Sequence, residues 1–161
     1  MAIRRGDVVR RRTLLQKFSA VGGAAMMLAK PAKAAAKKKV ITSSKAALPI
    51  GPYSQGIQAG NFIFVAGEKG IDPKTGKIVP GGIVAETRQT LENIKAILAE
   101  AGATLDDAVA STVHMTDLNE FQQMNQVYAE YFRKEPPGRT TVQVQALPAG
   151  AQVEITVIAV V

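Results

Sequence analysis

The order of elements legible in the chain, β-β-β-α-β-α-β-β, predicts an α+β protein in which a mixed sheet carries two helices on one face. Three observations lead there. Short runs rich in Val, Ile, Phe and Thr are bounded by Gly, Pro and Asn, as strands are. Two longer segments instead place their apolar residues at helical spacing. The final run, residues 153–160, is apolar on both of its alternating faces.

Residues 40–42 form a candidate edge strand, and 55–59 and 61–67 form two strands joined at Ala59-Gly60-Asn61, a hairpin signal. "DPKTG" at 72–76 is a turn, because Pro73 presets φ and Gly76 can take a positive one. Residues 83–101 align Thr87, Leu91, Ile94, Leu98 and Ala101 on one helical stripe, with Gly102 placed to end it. A strand at 109–115 follows, then a helix at 118–133 with Phe121, Met124, Tyr128 and Phe132 on one stripe. Strands at 140–146 and 153–160 complete the order. In the last, Val153, Ile155, Val157 and Ala159 face one way, and Glu154, Thr156, Ile158 and Val160 the other. Two helices cover one side, so a partner subunit is expected on the second.

Charge is distributed unevenly. The formal net charge is +7. Residues 1–39 hold eleven Lys and Arg against Asp7 alone, giving +10, while residues 40–161 hold nine against twelve acids, giving −3. The basic character belongs to a leader, and the domain lacks the basic footprint of a nucleic-acid binder. The leader has basic residues ending at Arg10, Arg11 and Arg12, a mild Ala/Gly/Met segment at 18–29, and small residues at Ala32-Lys33-Ala34. Arg11-Arg12-Thr13-Leu14-Leu15 resembles the twin-arginine export signature. Its apolar run of about twelve residues is too short to anchor the protein in a bilayer. Residues 1–36 are therefore read as an export leader addressed to the export machinery, and 37–161 as the domain, with a periplasmic or otherwise exported location expected. A basic tail that stays uncleaved is the alternative.

Cysteine is absent and His114 is the sole histidine, so thiol chemistry and a histidine-based zinc site are excluded. His114 sits in a strand pattern, "VASTVHMTD", with no nucleophile elbow near it. Gly60, Gly67 and Gly70 are not followed by the Gly-Lys-Ser/Thr of a phosphate loop. No metal or other cofactor is expected.

Four stretches resemble the RidA family of enamine/imine deaminases: "GPYSQGIQAGNFIFVAGEKGIDPKTGKIV", "ETRQTLENIKAILAEAG", "DLNEFQQMNQVYAEYF" and "GRTTVQVQALPAGAQVEITVIAV". The resemblance runs from about residue 40 to 161. It implies a chorismate-mutase-like protomer, a homotrimer whose sheets form a central barrel, and active sites in clefts between subunits. It implies hydrolysis of 2-aminoacrylate-type enamines and imines, small 2-imino or 2-enamino acids, to 2-oxo acids and ammonia.

On that resemblance Arg139 is the clamp for the substrate carboxylate and Glu154 the residue that positions water, both catalytic. Tyr53, Gly67, Asn125 and Thr141 line the cleft as substrate-binding positions. The residue types suit the task. A guanidinium forks onto both carboxylate oxygens where an ammonium offers a point charge, and a carboxylate can orient water and carry its proton. Spacing alone favours an exposed Arg139–Glu154 cross-strand pair, worth about 0–1 kcal/mol; the family pattern around the two residues favours the site. The chain departs from the family pattern at Thr141, where many members have Cys, at Ala66, where Ser is frequent, and in a shorter loop before Arg139. Two other functions remain open: a non-enzymatic trimer that binds small acids or acts as a holdase, and an endoribonuclease, which the charge balance disfavours.

Overall fold

A computed structural model describes residues 37–161; the leader, with its twin-arginine and cleavage motifs, lies outside the described residues. The elements follow the expected order: β1 (Lys39–Ile41), β2 (Gly56–Ala59), β3 (Phe62–Lys69), α1 (Gly82–Glu100), β4 (Ala108–Met115), α2 (Phe121–Tyr131), β5 (Gly138–Gln143) and β6 (Val153–Val160). They form a six-stranded sheet in the order β1-β2-β3-β6-β4-β5. All neighbours are antiparallel except β4 and β5, which α2 joins as a crossover.

The local chemistry behaves as the residues dictate. Gly60, at φ 64°, makes the two-residue turn between β2 and β3. Gly76, at φ 68°, closes the 72–76 turn, with its N–H donating to the Asp72 carbonyl at 2.8 Å. Gly102, at φ 75°, ends α1, where the Gly102 and Ala103 N–H groups donate to the Ala99 and Leu98 carbonyls, both at 3.0 Å. That pair of bonds satisfies carbonyls the helix end would otherwise leave bare.

Two elements depart most from the sequence expectation. The segment at 118–133 begins as a 3₁₀ turn, Leu118–Glu120, capped by Asp117, whose Oδ1 accepts the Asn119 N–H at 2.8 Å; regular α-helix starts only at Phe121. β5 starts and stops earlier than 140–146 because its ladder partner sets its length. Gly138 pairs with Ala110 and Gln143 with Met115, and β4 ends there.

The core lies between the helices and one face of the sheet. Thr87, Leu91, Ile94 and Leu98 of α1 and Met124 of α2 are fully buried, as are Val153, Ile155, Val157 and Ala159 of β6. Fully burying a side chain of the Leu or Ile class contributes about 1.5–3 kcal/mol. The opposite face, by contrast, carries Phe62 and Phe64, each 44% exposed, beside the half-buried Ile158 and Val160, and no element of the described residues covers it.

Candidate active site

Arg139 enters from the edge of the sheet. It is the second residue of β5 and lies beside Ser111 of β4, whose side chain is buried on the helix-covered face. Residues abreast in neighbouring strands share a face, so Arg139 points toward α2. There Phe121, Asn125 and Tyr128 recur at helical spacing and receive it. The Arg139 Nη2 donates to Asn125 Oδ1 at 2.7 Å. The guanidinium carbon lies 4.5 Å from the Tyr128 ring centre and 5.7 Å from that of Phe121. Tyr128 is itself fixed by a 2.7 Å hydrogen bond with Ser111 Oγ and by stacking on Phe132 at 4.4 Å. Burial raises the Tyr128 hydroxyl above its ordinary pKa, an effect partly opposed by the Ser111 bond and the Arg139 charge, so it remains a neutral phenol. With Leu118, Phe121 and Thr141, Arg139 lines a cavity of about 450 Å³. Thr141 Oγ1 is buried beside this cavity without a protein hydrogen-bond partner.

Glu154 occupies the other face. It alternates along β6 with the buried Val153 and Ile155 and therefore points away from the helices. A β-bulge in β3 shapes its surroundings. Val65 pairs with Val157 but Glu68 pairs with Ile155, so Ala66 and Gly67 together oppose the single residue Thr156. The extra residue reverses the alternation of β3, turning Lys69 outward beside Glu154 and Glu68 inward. Lys69, only 5% exposed, forms an ion pair through Nζ with Glu154 Oε2 at 2.9 Å and donates to the Gly67 carbonyl at 2.8 Å. Gly67 presses on the carboxylate so closely that a Cβ there would stand 2.7 Å from Glu154 Cδ. On the far side His114 of β4 brings Nδ1, which has no hydrogen-bond partner, to 3.7 Å from Glu154 Oε1. Ile50, Tyr53, Gly67, Lys69, Pro148 and Glu154 line a cavity of about 300 Å³. Tyr53 is 44% exposed, and its hydroxyl accepts the Ile50 N–H at 3.2 Å, so its ring is a wall of the cavity rather than a core residue.

Helix α1 holds this second half in place. The Asn93 amide, fully buried, donates to the carbonyls of Lys69 at 3.1 Å and Ile71 at 2.9 Å. Glu86 accepts the Gln152 N–H at 2.7 Å and so ties the helix start to the entry of β6. Burial pushes Glu68 up to about 7, against an ordinary 4.5; the Lys69 charge opposes the rise and Glu154 adds to it.

The six residues singled out in the sequence thus fall into two groups. Arg139 and Thr141 line the helix-side cavity, with Asn125 bonded to Arg139, and Tyr53, Gly67 and Glu154 share the outer one. Within one protomer the groups do not meet. The alternative of an Arg139–Glu154 cross-strand pair is ruled out, since β4 separates β5 from β6 and the two side chains leave opposite faces. Two residues beside Glu154, Lys69 and His114, were not anticipated as part of its surroundings; strand alternation would have aimed Lys69 at the core. Among the described residues no group of three or more His, Cys, Asp or Glu is arranged to hold a metal ion. One half can grip a planar anion by a stacked guanidinium, and the other can present a fixed carboxylate to water.

Comparison with known proteins places this geometry in a family. The family model described as Endoribonuclease L-PSP matches residues 43–161. A RutC family protein of Pyrococcus abyssi is 55% identical over 117 residues, 73% of this chain and 92% of that protein. The 2-iminobutanoate/2-iminopropanoate deaminase of Mus musculus is 45% identical over 119 residues, covering 74% of this chain and 88% of that one. The crystal structure of E. coli TdcF with bound serine matches with a TM-score of 0.74 at 40% identity, over 76% of this chain and 98% of that chain. With the helix-backed sheet and the residue pattern shared over nearly the whole domain, the chain belongs to the endoribonuclease L-PSP family, the RidA family that its motifs resemble.

Proposed function

We propose that the protein is a hydrolytic deaminase of short 2-imino and 2-enamino acids, releasing 2-oxo acids and ammonia from active sites assembled between copies of the chain in a trimer. The observation that carries this reading is the division of the site. A carboxylate-gripping half and a water-positioning half sit on opposite faces of one sheet, so only two copies brought together can complete it. The uncovered apolar face bearing Phe62, Phe64 and Ile158 supplies a surface for such assembly. Deaminase relatives such as the mouse protein support the chemistry, and TdcF, with its bound serine, supports a small amino-acid-like ligand.

In this reading Arg139 keeps one N–H on Asn125 and offers its remaining donors to the substrate carboxylate, with Tyr128 as a flat support. The adjacent imine carbon then faces Glu154 of a neighbouring copy. Water adds to that carbon as Glu154 takes its proton and passes it to the imine nitrogen, giving a carbinolamine. Glu154 then takes the hydroxyl proton and delivers it to the same nitrogen, so that the C–N bond breaks, with ammonia leaving and the carbonyl forming. Thr141, which lines the helix-side cavity, stands where many relatives carry Cys.

The test is ammonia release from 2-iminobutyrate generated in solution, with Arg139→Ala as control. Release by the wild-type protein that the variant lacks is expected; equal release by both would remove the assignment. From the leader sequence we also propose export by the twin-arginine route, with cleavage after Ala34 or Ala36. Replacing both Arg11 and Arg12 by Lys should trap the protein in the cytoplasm, and unchanged export would end that reading.

A further inference from the structure

Lys69, Glu154 and His114 stand abreast on three adjacent strands, β3, β6 and β4, all on the face away from the helices. The ammonium of this row is in an unusual position for a lysine: it is nearly buried, both of its contacts are short, and its backbone carbonyl is clamped by Asn93. Burying an ammonium beside a carboxylate does little for stability, because desolvation offsets most of the attraction. An apolar side chain would cover the same surface at less cost. The consequence of the charge is found instead in what it does to Glu154.

We propose that Lys69 is a positioning residue for Glu154, fixing which carboxylate oxygen meets the water; this rests on the deaminase reading above. A glutamate reaching into a cavity has several rotamers, and only some aim an oxygen at the reacting carbon. Here Gly67 bounds the carboxylate on one side and Lys69 engages Oε2. Oε1 lacks a hydrogen bond to His114, because their 3.7 Å separation exceeds hydrogen-bond length. Oε1 is thus the oxygen left to accept from water, and Lys69 is what leaves it so. The bulge at Ala66 and Gly67 is required for this arrangement, since regular alternation would point Lys69 into the core.

A double-mutant cycle on the full protein tests the proposal. Lys69→Met should lower kcat by about tenfold while KM moves by less than about twofold, as expected when an orienting charge-assisted bond is lost without loss of substrate binding. In the Glu154→Gln background the same change should have almost no further effect, because its target is gone. Lys69→Arg, which keeps the charge, should recover part of the loss. An unchanged kcat in Lys69→Met overturns the proposal, as does an equal fall in both backgrounds, or a rise in KM alone. Should Lys69→Met fail to fold, Lys69→Gln carries the same cycle. Failure of the underlying reading would look different: wild type and Glu154→Gln would be equally inactive toward the imine. In that case nitrogen-15 NMR still decides the pairing. A slowly exchanging Lys69 ammonium signal that disappears in Glu154→Gln supports it, and the lack of such a signal in the wild type overturns it.

Discussion

Arg139 and Glu154 belong to one sheet but to opposite faces of it, with strand β4 between them. Neither charge can act on the other inside a protomer. Each instead heads its own cavity, the guanidinium backed by Tyr128 and Asn125, the carboxylate by Gly67 and Lys69. A site that uses both has to draw them from different copies.

That division makes complementation measurable. Arg139→Ala and Glu154→Ala should each be inactive alone. Unfolded together at equal amounts and refolded, they should regain about a quarter of wild-type activity, because one interface in four then pairs an intact arginine with an intact glutamate. Separately refolded proteins mixed without subunit exchange should regain none. If the co-refolded mixture stays inactive while forming oligomers of wild-type size by light scattering, the two residues do not share a site.

Arg139→Lys should lose most activity although the charge is kept. The ammonium cannot reproduce two parallel bonds to a carboxylate, nor lie flat over the Tyr128 ring. Charge-assisted hydrogen bonds contribute about 1.5–3 kcal/mol each, so kcat/KM should fall roughly tenfold or more. Steady-state kinetics on 2-iminobutyrate checks this, and near-normal turnover would show that Arg139 makes no forked contact.

Gly67→Ala should act through contact rather than backbone strain. The new methyl would meet Glu154 Cδ at 2.7 Å and Oε1 at 2.8 Å, and Lys69 restrains the carboxylate from moving aside. Something must shift, and the glutamate rotamer is the softest part. A fall in kcat of about tenfold is expected with a loss of stability under about 2 kcal/mol, within the ordinary range for overpacking. Full activity in this variant would mean that the pose of Glu154 is immaterial.

How far these residues could be read from the sequence follows from periodicity. Leu91, Ile94 and Leu98 keep helical spacing, and Val153 to Val157 alternate while Ile158 to Val160 are apolar throughout, so both elements and the apolar residues on both faces of β6 are legible. Arg139 and Glu154 stand out as the lone charges of their strands. The bulge in β3 is another matter. "FVAGEKG" looks like continued alternation, and only the pairing with β6 reveals the shift that exchanges the faces of Glu68 and Lys69. The partner of Asn125 was equally hidden, because it depends on β5 lying parallel to β4 beneath α2. Long-range register decides such contacts, and a single chain read locally carries no direct trace of it.

The same bulge has a consequence for stability. Glu68, turned inward opposite Ile155 and 6% exposed, has its carboxyl pushed up to about 7 by burial, against an ordinary 4.5. Between those values the folded protein holds a proton that the unfolded chain releases, so stability falls as pH rises through this window. Burial raises Glu86 as well, which adds to the same slope. The comparison that isolates Glu68 is therefore Glu68→Gln against wild type. The amide keeps the shape and cannot ionise, so the two proteins should have similar stability at pH 4, below the window. At pH 8 the variant should be more stable, by up to roughly 3 kcal/mol per subunit if the full shift is expressed, at about 1.4 kcal/mol per pH unit. Thermal unfolding at both pH values reads the difference. Parallel pH dependence in the two proteins would show that Glu68 is ionised in the folded state and that its inward face is wetter than the register implies.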